Sequence, residues 1–374
     1  MSRSTRNLRL VLFFTRDVSL HTWEQSGIFD REVALYTRLQ QHGVHVTFVT
    51  YGTARDRQYR QRLPGIKILC NRWNLPPFQY EYWLPVLHAF WLWRSHVLKT
   101  NQLSGADVAL RMGRLWQKPV IARCGYMWSE FLAKEHGADS PLAMQARRME
   151  HDVFTSARRI VVTTSMMAQD IARRIPQAAA RTVVIPNYVE TDRFTPSTSS
   201  APEFDLVFVG RCVAQKNIGS LLEAVEALNV RLLLIGDGYL RASLQQRFAH
   251  LRERVEWAGK VAHAELPTAL LRANIFILPS HYEGHPKALL EAMSCGLPVI
   301  GTDVTGIREL IRHGEQGWLC RPDAQSIRAA IQHLVSQPLL RTRLGQHARK
   351  YVLEHFSLDK IVESEIALLR EAVI

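Results

Sequence analysis

Residues 279–302 read PSHYEGHPKALLEAMSCGLPVIGT. An apolar run at residues 275–278 precedes them and predicts a strand. Residues 280–284 predict a loop. Pro286 suits the first helical position, where a missing N–H has no helical partner anyway. Residues 288–293 are strong helix formers. Gly296 suits a left-handed cap, and Pro298 prevents continuation. Residues 298–301 predict the next strand. Strand, turn, helix and strand in that order are one crossover of a parallel sheet.

The turn at residues 284–287 therefore lies at a helix N-terminus, just past the carboxyl end of a strand. Open α/β sheets bind ligands there. Free backbone N–H groups and the positive end of the helix dipole favour a phosphate. Gly284 admits close approach to the backbone, and Lys287 adds positive charge. Glu283 and Glu291 frame the turn at a spacing of eight. Aimed at a phosphate they would repel it; aimed at the hydroxyls of a ribose or sugar they make sense. Two glutamates alone are better read as solvated helix-face charges.

Outward from this segment the same alternation runs the length of the chain. Residues 8–14, 44–50, 67–70, 107–110, 120–123 and 160–164 predict strands, and residues 29–41 have helical periodicity ending near Gly43. Between residues 186 and 204, Pro196 and Pro202 flank a Ser/Thr cluster, which predicts a linker. Beyond it, residues 206–209, 231–235, 255–258, 275–278 and 298–301 predict a second series of strands. Two doubly wound units joined by a linker are the simplest architecture.

The chain has 374 residues, which suits two domains. Apolar residues at 47% and charged residues at 22% exclude wholesale disorder. A net charge of +13 implies an anionic partner, without choosing among nucleic acid, membrane and phosphorylated small molecules. Cys70, Cys124, Cys212, Cys295 and Cys320 are scattered and odd in number. That pattern predicts buried thiols in a reducing compartment rather than disulfides or a zinc site. The apolar run at residues 8–14 is short and followed at once by Thr15, Arg16 and Asp17, so it fits a first buried strand better than a signal peptide, and no run is long enough to span a membrane. Residues 79–99, QYEYWLPVLHAFWLWRSHVLK, carry Trp83, Trp91 and Trp93 with Arg94, His96 and Lys99 at the end. They read either as a helix resting on an anionic membrane or as a core-packing helix whose basic end caps its own dipole.

With Ser280, Gly284, Pro286, Leu290, Ala292, Met293, Gly296, Pro298 and Val299 set around the two glutamates, residues 279–302 resemble the E-x7-E signature of the retaining family-four glycosyltransferases. Val209-Gly210-Arg211 with Gln215-Lys216-Asn217 resembles that family's diphosphate loop. Residues 234–238 resemble its second glycine turn. Ile185-Pro186-Asn187 with Phe194 resembles its interdomain entry, and Gly259-Lys260-Val261 its loop near the base. In the N-terminal half, Ser26-Gly27-Ile28 with Arg31 resembles the family's glycine-rich loop, with one glycine where two are common. Cys124-Gly125 stands where a His-Gly pair is common, which removes that histidine; Tyr126 and Arg123 are the candidates to replace it.

The resemblance implies the GT-B architecture: two Rossmann-like doubly wound parallel-sheet domains facing across a cleft. The expected division is an acceptor-binding domain over residues 1–185, a linker over 186–204, a nucleotide-sugar domain over 205–355, and a C-terminal helix over 356–374 that packs back on the first domain. It further implies a retaining hexosyltransferase using a nucleoside diphosphate sugar, UDP- or GDP-linked. Glu283, Arg211 and Lys216 form the expected catalytic set. Gly27, Gly210, Lys260, Val261, Gly284, His285, Pro286, Lys287 and Glu291 form the expected donor site. Two cations neutralise charge building on the leaving diphosphate, so neither metal nor cofactor is expected. The implied acceptor is a glycan or lipid-linked glycan of surface polysaccharide or lipopolysaccharide synthesis. The expected location is cytoplasmic, peripheral on the inner face of the plasma membrane. Weighed against this are a nucleotide-sugar epimerase, a non-catalytic donor-binding protein of the same fold, and a nucleic-acid binder. Only charge suggests the last, and no nucleic-acid partner is expected.

Overall fold

The computed structural model describes residues 7–197 and 201–374. Residues 1–6 of the expected first domain and 198–200 of the expected linker lie outside the described residues. The chain forms two compact units, residues 1–186 with 362–374, and residues 187–361.

The first unit is built on a seven-stranded parallel sheet in the order β3-β2-β1-β4-β5-β6-β7. Its strands are β1 (Arg9–Phe13), β2 (His45–Val49), β3 (Lys67–Leu69), β4 (Val97–Thr100), β5 (Val120–Cys124), β6 (Arg159–Val162) and β7 (Thr182–Val184). Central strand β1 pairs Leu10 with Val46 on one side and Val97 on the other. Such strands are apolar on both faces because crossover helices cover both. Leu10, Leu12, Phe48 and Leu98 are fully buried. A short helix, Leu20–Gln25, precedes Phe29–Gln41 and was not expected. Ser19 starts it with a capping box, its hydroxyl accepting from the Thr22 amide.

Two expectations in this unit are overturned. Residues 107–110 are not a strand but part of helix Ala106–Leu115. Ala106, Val108, Ala109, Leu110, Met112 and Gly113 are buried along it, and the short apolar run at 108–110 concealed the helical period. The fourth strand is instead Val97–Thr100, with Lys99 in its middle. A lysine inside a central strand hides it from a hydrophobicity reading. Nor are residues 79–99 one helix: they divide into helix Pro77–Leu87, helix Ala89–Arg94 and that strand.

His88 sits at the break between the two helices, buried, and shares a 2.9 Å hydrogen bond with the Tyr80 hydroxyl. Burial, aided by the charge of Arg72, lowers its pKa from 6.5 to about 4. The neutral ring is the form that fits the fold. Its contribution is therefore complete above pH 6.5 and is lost as pH falls toward 4, by about 3 kcal/mol in all. Thermal melts over that interval should drop steeply for the native chain and less steeply for His88→Gln.

The second unit holds a six-stranded parallel sheet, β10-β9-β8-β11-β12-β13. The strands are β8 (Phe204–Val209), β9 (Leu232–Ile235), β10 (Val255–Gly259), β11 (Ala273–Leu278), β12 (Val299–Thr302) and β13 (Trp318–Cys320). Leu206, Leu233, Ile275, Phe276 and Ile277 are fully buried in its core. Residues 187–197 belong to this unit. Phe194 is fully buried in the core, and Val189 bridges Ser357. The two sheets make the chain an α/β protein of two Rossmann-like domains. Cys70, Cys124, Cys212 and Cys295 are buried free thiols, and Cys320 is a half-buried one. Among the described residues no helix is long and apolar enough to cross a membrane.

Candidate functional site

The second unit gathers the candidate residues at the carboxyl ends of β10, β9, β8 and β11, which are successive neighbours in its sheet. Backbone hydrogen bonds stitch the loops together. The Gly210 amide donates to the Ile235 carbonyl at 3.0 Å, Cys212 to Asp237 at 2.9 Å, and Gly236 to Gly259 at 2.7 Å. Gly236 has φ +134, and a Cβ there would lie 1.9 Å from the Gly210 carbonyl oxygen, so no other residue fits.

The loop after β8 also locks onto the loop after β11. The His281 amide donates to the Gln215 carbonyl at 2.9 Å, and the Gln215 amide group donates to the Tyr282 carbonyl at 2.8 Å. Asn217, in the left-handed region at φ +52, donates from Nδ2 to the carbonyls of Pro279 at 3.0 Å and Pro322 at 2.7 Å. Helix Ile218–Glu226 starts directly after it.

This clamp brings Lys216 onto Glu283. Lys216 Nζ donates to Glu283 Oε1, which also accepts from Ser280 Oγ at 2.6 Å. The two charged side chains are only 15% and 7% exposed. Glu283 is thus not a solvated helix-face charge. Arg211 and Lys260 are exposed on their loops, and Val261 is half-buried.

The helix after β11 is Lys287–Ser294. Pro286 is its N-cap in extended conformation, ψ 113, so the helix begins one residue later than the proline suggested. Gly296 follows the last turn at φ +74, the left-handed conformation expected of it. Gly284 abuts the short helix Thr305–Arg308: a Cβ on Gly306 would lie 2.0 Å from the Gly284 carbonyl oxygen. The buried His285 accepts at its carbonyl from Asn187 Nδ2 at 2.6 Å, and Lys287 Nζ stands 5.5 Å from the centre of the Tyr188 ring.

Glu291, in the second turn, is buried and bonded at 2.9 Å to His263 Nε2. This hydrogen bond to the ring fixes the carboxylate's orientation. His263 lies on the loop after β10 and packs 5.2 Å from the Phe194 ring. Both His263 and the part played by Ser280 escaped the sequence. Ser-x-x-Glu spacing was an available signal for the second; a single histidine in a loop gives none for the first.

The second unit thus assembles Gly210, Arg211, Lys216, Lys260, Val261, Glu283, Gly284, His285 and Pro286 on its loops, with Lys287 and Glu291 on the helix that follows. Gly27 lies in the first unit, exposed at φ +68 between helices Leu20–Gln25 and Phe29–Gln41. Cys124 is also there, fully buried, with its thiol pKa pushed well above the ordinary value by that burial. The neighbouring Gly125 amide donates to Gln102 Oε1 at 3.0 Å, and Tyr126 stacks on Phe131. Among the described residues, no group of three or more His, Cys, Asp or Glu side chains is placed to hold a metal ion.

Two family models match the chain. Residues 31–188 match a glycosyl transferase 4-like domain, and residues 190–351 match the glycosyl transferases group 1. The chain is 28% identical over 251 residues to an alpha-D-kanosaminyltransferase of Streptomyces kanamyceticus, an alignment taking in 62% of this chain and 64% of that one. It is 36% identical over 152 residues to an N-acetyl-alpha-D-glucosaminyl L-malate synthase of Bacillus anthracis, covering 40% and 39%. Both alignments span less than two thirds of the relative's length. Among solved structures, the fold is shared with a sucrose-phosphate synthase from Thermosynechococcus elongatus (TM-score 0.77, 20% identity, 98% of this chain and 99% of that one). It is shared also with Anabaena HepE in complex with UDP and glucose (TM-score 0.76, 18% identity, 98% and 100%). Paired parallel-sheet domains place the fold in the GT-B class, and the adjoining matches over residues 31–188 and 190–351 support a glycosyltransferase of group 1.

Proposed function

We propose that the chain transfers a sugar from a nucleoside diphosphate sugar, UDP- or GDP-linked, to a glycan or lipid-linked glycan acceptor, with retention of the anomeric configuration. The observation that carries this reading is the Lys216–Glu283 pair, held at the carboxyl end of the sheet by the clamp between the loops after β8 and β11. A cation and a carboxylate so placed can divide the donor between them. Lys216 has three N–H donors, enough to keep Glu283 and still meet a diphosphate oxygen. Arg211 supplies the second cation, and the amides at the start of helix Lys287–Ser294 a third source of positive potential. Glu283 then faces sugar hydroxyls and Glu291, oriented by His263, the ribose. Gly27, in the first unit, keeps its expected role toward the donor in this reading.

Charge accumulating on the leaving diphosphate is what the two cations stabilise in the transition state. In the front-face displacement we favour, a phosphate oxygen of the leaving group takes the acceptor's hydroxyl proton as the new glycosidic bond forms. No protein base is then required, and the reaction needs neither metal nor cofactor. HepE was solved with UDP and glucose, which supports testing UDP-sugars first.

The test is calorimetric titration of UDP-, GDP- and ADP-sugars into the native chain and Glu291→Gln. We expect one donor to bind selectively. Replacing a charged acceptor of the ribose hydroxyls should weaken it by about 10- to 100-fold, a loss of about 1.5–3 kcal/mol. Equal affinity in the two proteins removes Glu291 from the donor site. Product configuration at the anomeric carbon, read by NMR, decides retention.

A further inference from the structure

Residues 73–94 carry apolar side chains on the wrong side. Helices Pro77–Leu87 and Ala89–Arg94 bury Tyr80, Leu84, His88 and Leu92, one residue every four, against the first unit. The opposite side should be polar. Instead it repeats Phe78, Tyr82, Val86 and Phe90 at the same interval, with Trp83 and Trp93 beside them. Phe78 is 71% exposed, Val86 67% and Trp93 61%. A helix that is apolar all round is made for a second apolar environment.

Basic groups rim this ridge. Arg72 lies 4.5 Å from the centre of the Trp73 ring, Arg94 5.2 Å from Phe90, and Lys67 4.7 Å from Trp91. Between residues 70 and 96 the only acidic residue is Glu81. It is already engaged, accepting from Arg16 Nε at 2.7 Å and from the Tyr51 hydroxyl at 2.9 Å. Exposed aromatic rings with arginines beside them match the boundary of a bilayer, where rings sit at headgroup depth and guanidinium groups meet phosphates. A globular partner of the same apolar chemistry would not require a rim with no free carboxylate.

We propose that the ridge Phe78, Tyr82, Trp83, Val86, Phe90 and Trp93, with Arg72 and Arg94, docks the chain on the surface of an anionic phospholipid bilayer. Docking deepens the reading of a membrane-borne acceptor. It rests on that reading only for what the docked chain acts upon, since membrane binding needs no donor. Insertion is shallow and reversible, of the kind made by interfacial helices.

The experiment is flotation of the full chain with vesicles of phosphatidylcholine alone, and of phosphatidylcholine mixed with phosphatidylglycerol, at low and high salt. We expect flotation with the anionic vesicles, weakened by salt. Combining Phe78→Ser, Trp83→Ser, Phe90→Ser and Trp93→Ser should reduce bound protein at least about ten-fold, and so should Arg72→Glu with Arg94→Glu. These positions are exposed, so melting temperature and circular dichroism should stay as in the native chain. Quenching of tryptophan fluorescence by brominated lipid should vanish in the serine variant. Undiminished flotation of that variant overturns the proposal. So does a native dimer, seen by sedimentation velocity without lipid binding, that the serine variant dissolves; the ridge would then be a contact between two copies. Loss of donor binding elsewhere would leave these outcomes unchanged.

Discussion

Lys216→Ala is expected to slow sugar transfer by about 100- to 1,000-fold, the usual loss when one preorganised donor to a developing anion is removed. The argument has two parts. As a cation, Lys216 stabilises charge on the leaving diphosphate, an interaction that strengthens as the bond breaks, so kcat should fall more than KM rises. As the partner of Glu283, it also holds the carboxylate that faces the sugar. Glu283 is 7% exposed and would keep only Ser280 among its observed partners. The two residues therefore act as one unit. Glu283→Gln should carry its own large loss, and Lys216→Ala with Glu283→Gln should be clearly less damaging than the product of the singles. Rates for the four proteins form the cycle, and their melting temperatures separate chemistry from folding. An unchanged kcat in a folded Lys216→Ala protein would make the lysine a structural counter-ion only.

What could be read from the sequence follows how local each signal was. The strand, turn, helix and strand around residues 279–302 depended on caps, prolines and an apolar run, all within a few residues. The structure places each within a residue or two. Pro286 went wrong by one position because a proline ring fixes φ but not ψ, and the same residue serves as N-cap or first helical position. Strand Val97–Thr100 was not legible, since its reason is non-local: Lys99 is tolerated inside the sheet only because Glu365 comes from the last helix. Among the candidate residues, Glu283, Glu291 and Lys216 were legible as types at a spacing. Their partners were not. The clamp that joins Lys216 to Glu283 runs through Gln215 and Asn217 to backbone carbonyls of another loop, and such bonds leave no mark on composition. The aromatic stretch at residues 79–99 shows the same limit. Both of its readings took the stretch as one helix, whereas it holds two helices, apolar on both sides, and a strand.

Breaking the Lys99–Glu365 pair is expected to have the largest effect on stability. Lys99 Nζ lies 2.5 Å from both carboxylate oxygens of Glu365, and the side chains are 0% and 2% exposed. Burial lowers the lysine's pKa while the carboxylate opposes that shift, so the pair exists on the strength of each partner for the other. Lys99→Met would leave the carboxylate buried without its counter-charge, at a cost of about 3–5 kcal/mol. That buried carboxyl can escape only by taking up a proton. The variant should therefore lose further stability as pH rises above the ordinary carboxylate range, and recover part of it in acid. Lys99→Met combined with Glu365→Leu removes both charges from an apolar setting and should return to within about 1 kcal/mol of the native chain. Urea melts of the three variants at two pH values decide this. The pair also joins residues 362–374 to the first unit's sheet, across 266 positions of sequence. Amide exchange in that last segment should accelerate in the single variant and slow again in the double one. Fast exchange in both would mean that the ion pair itself, rather than the packing of Leu368 and Leu369 beside it in sequence, anchors the segment.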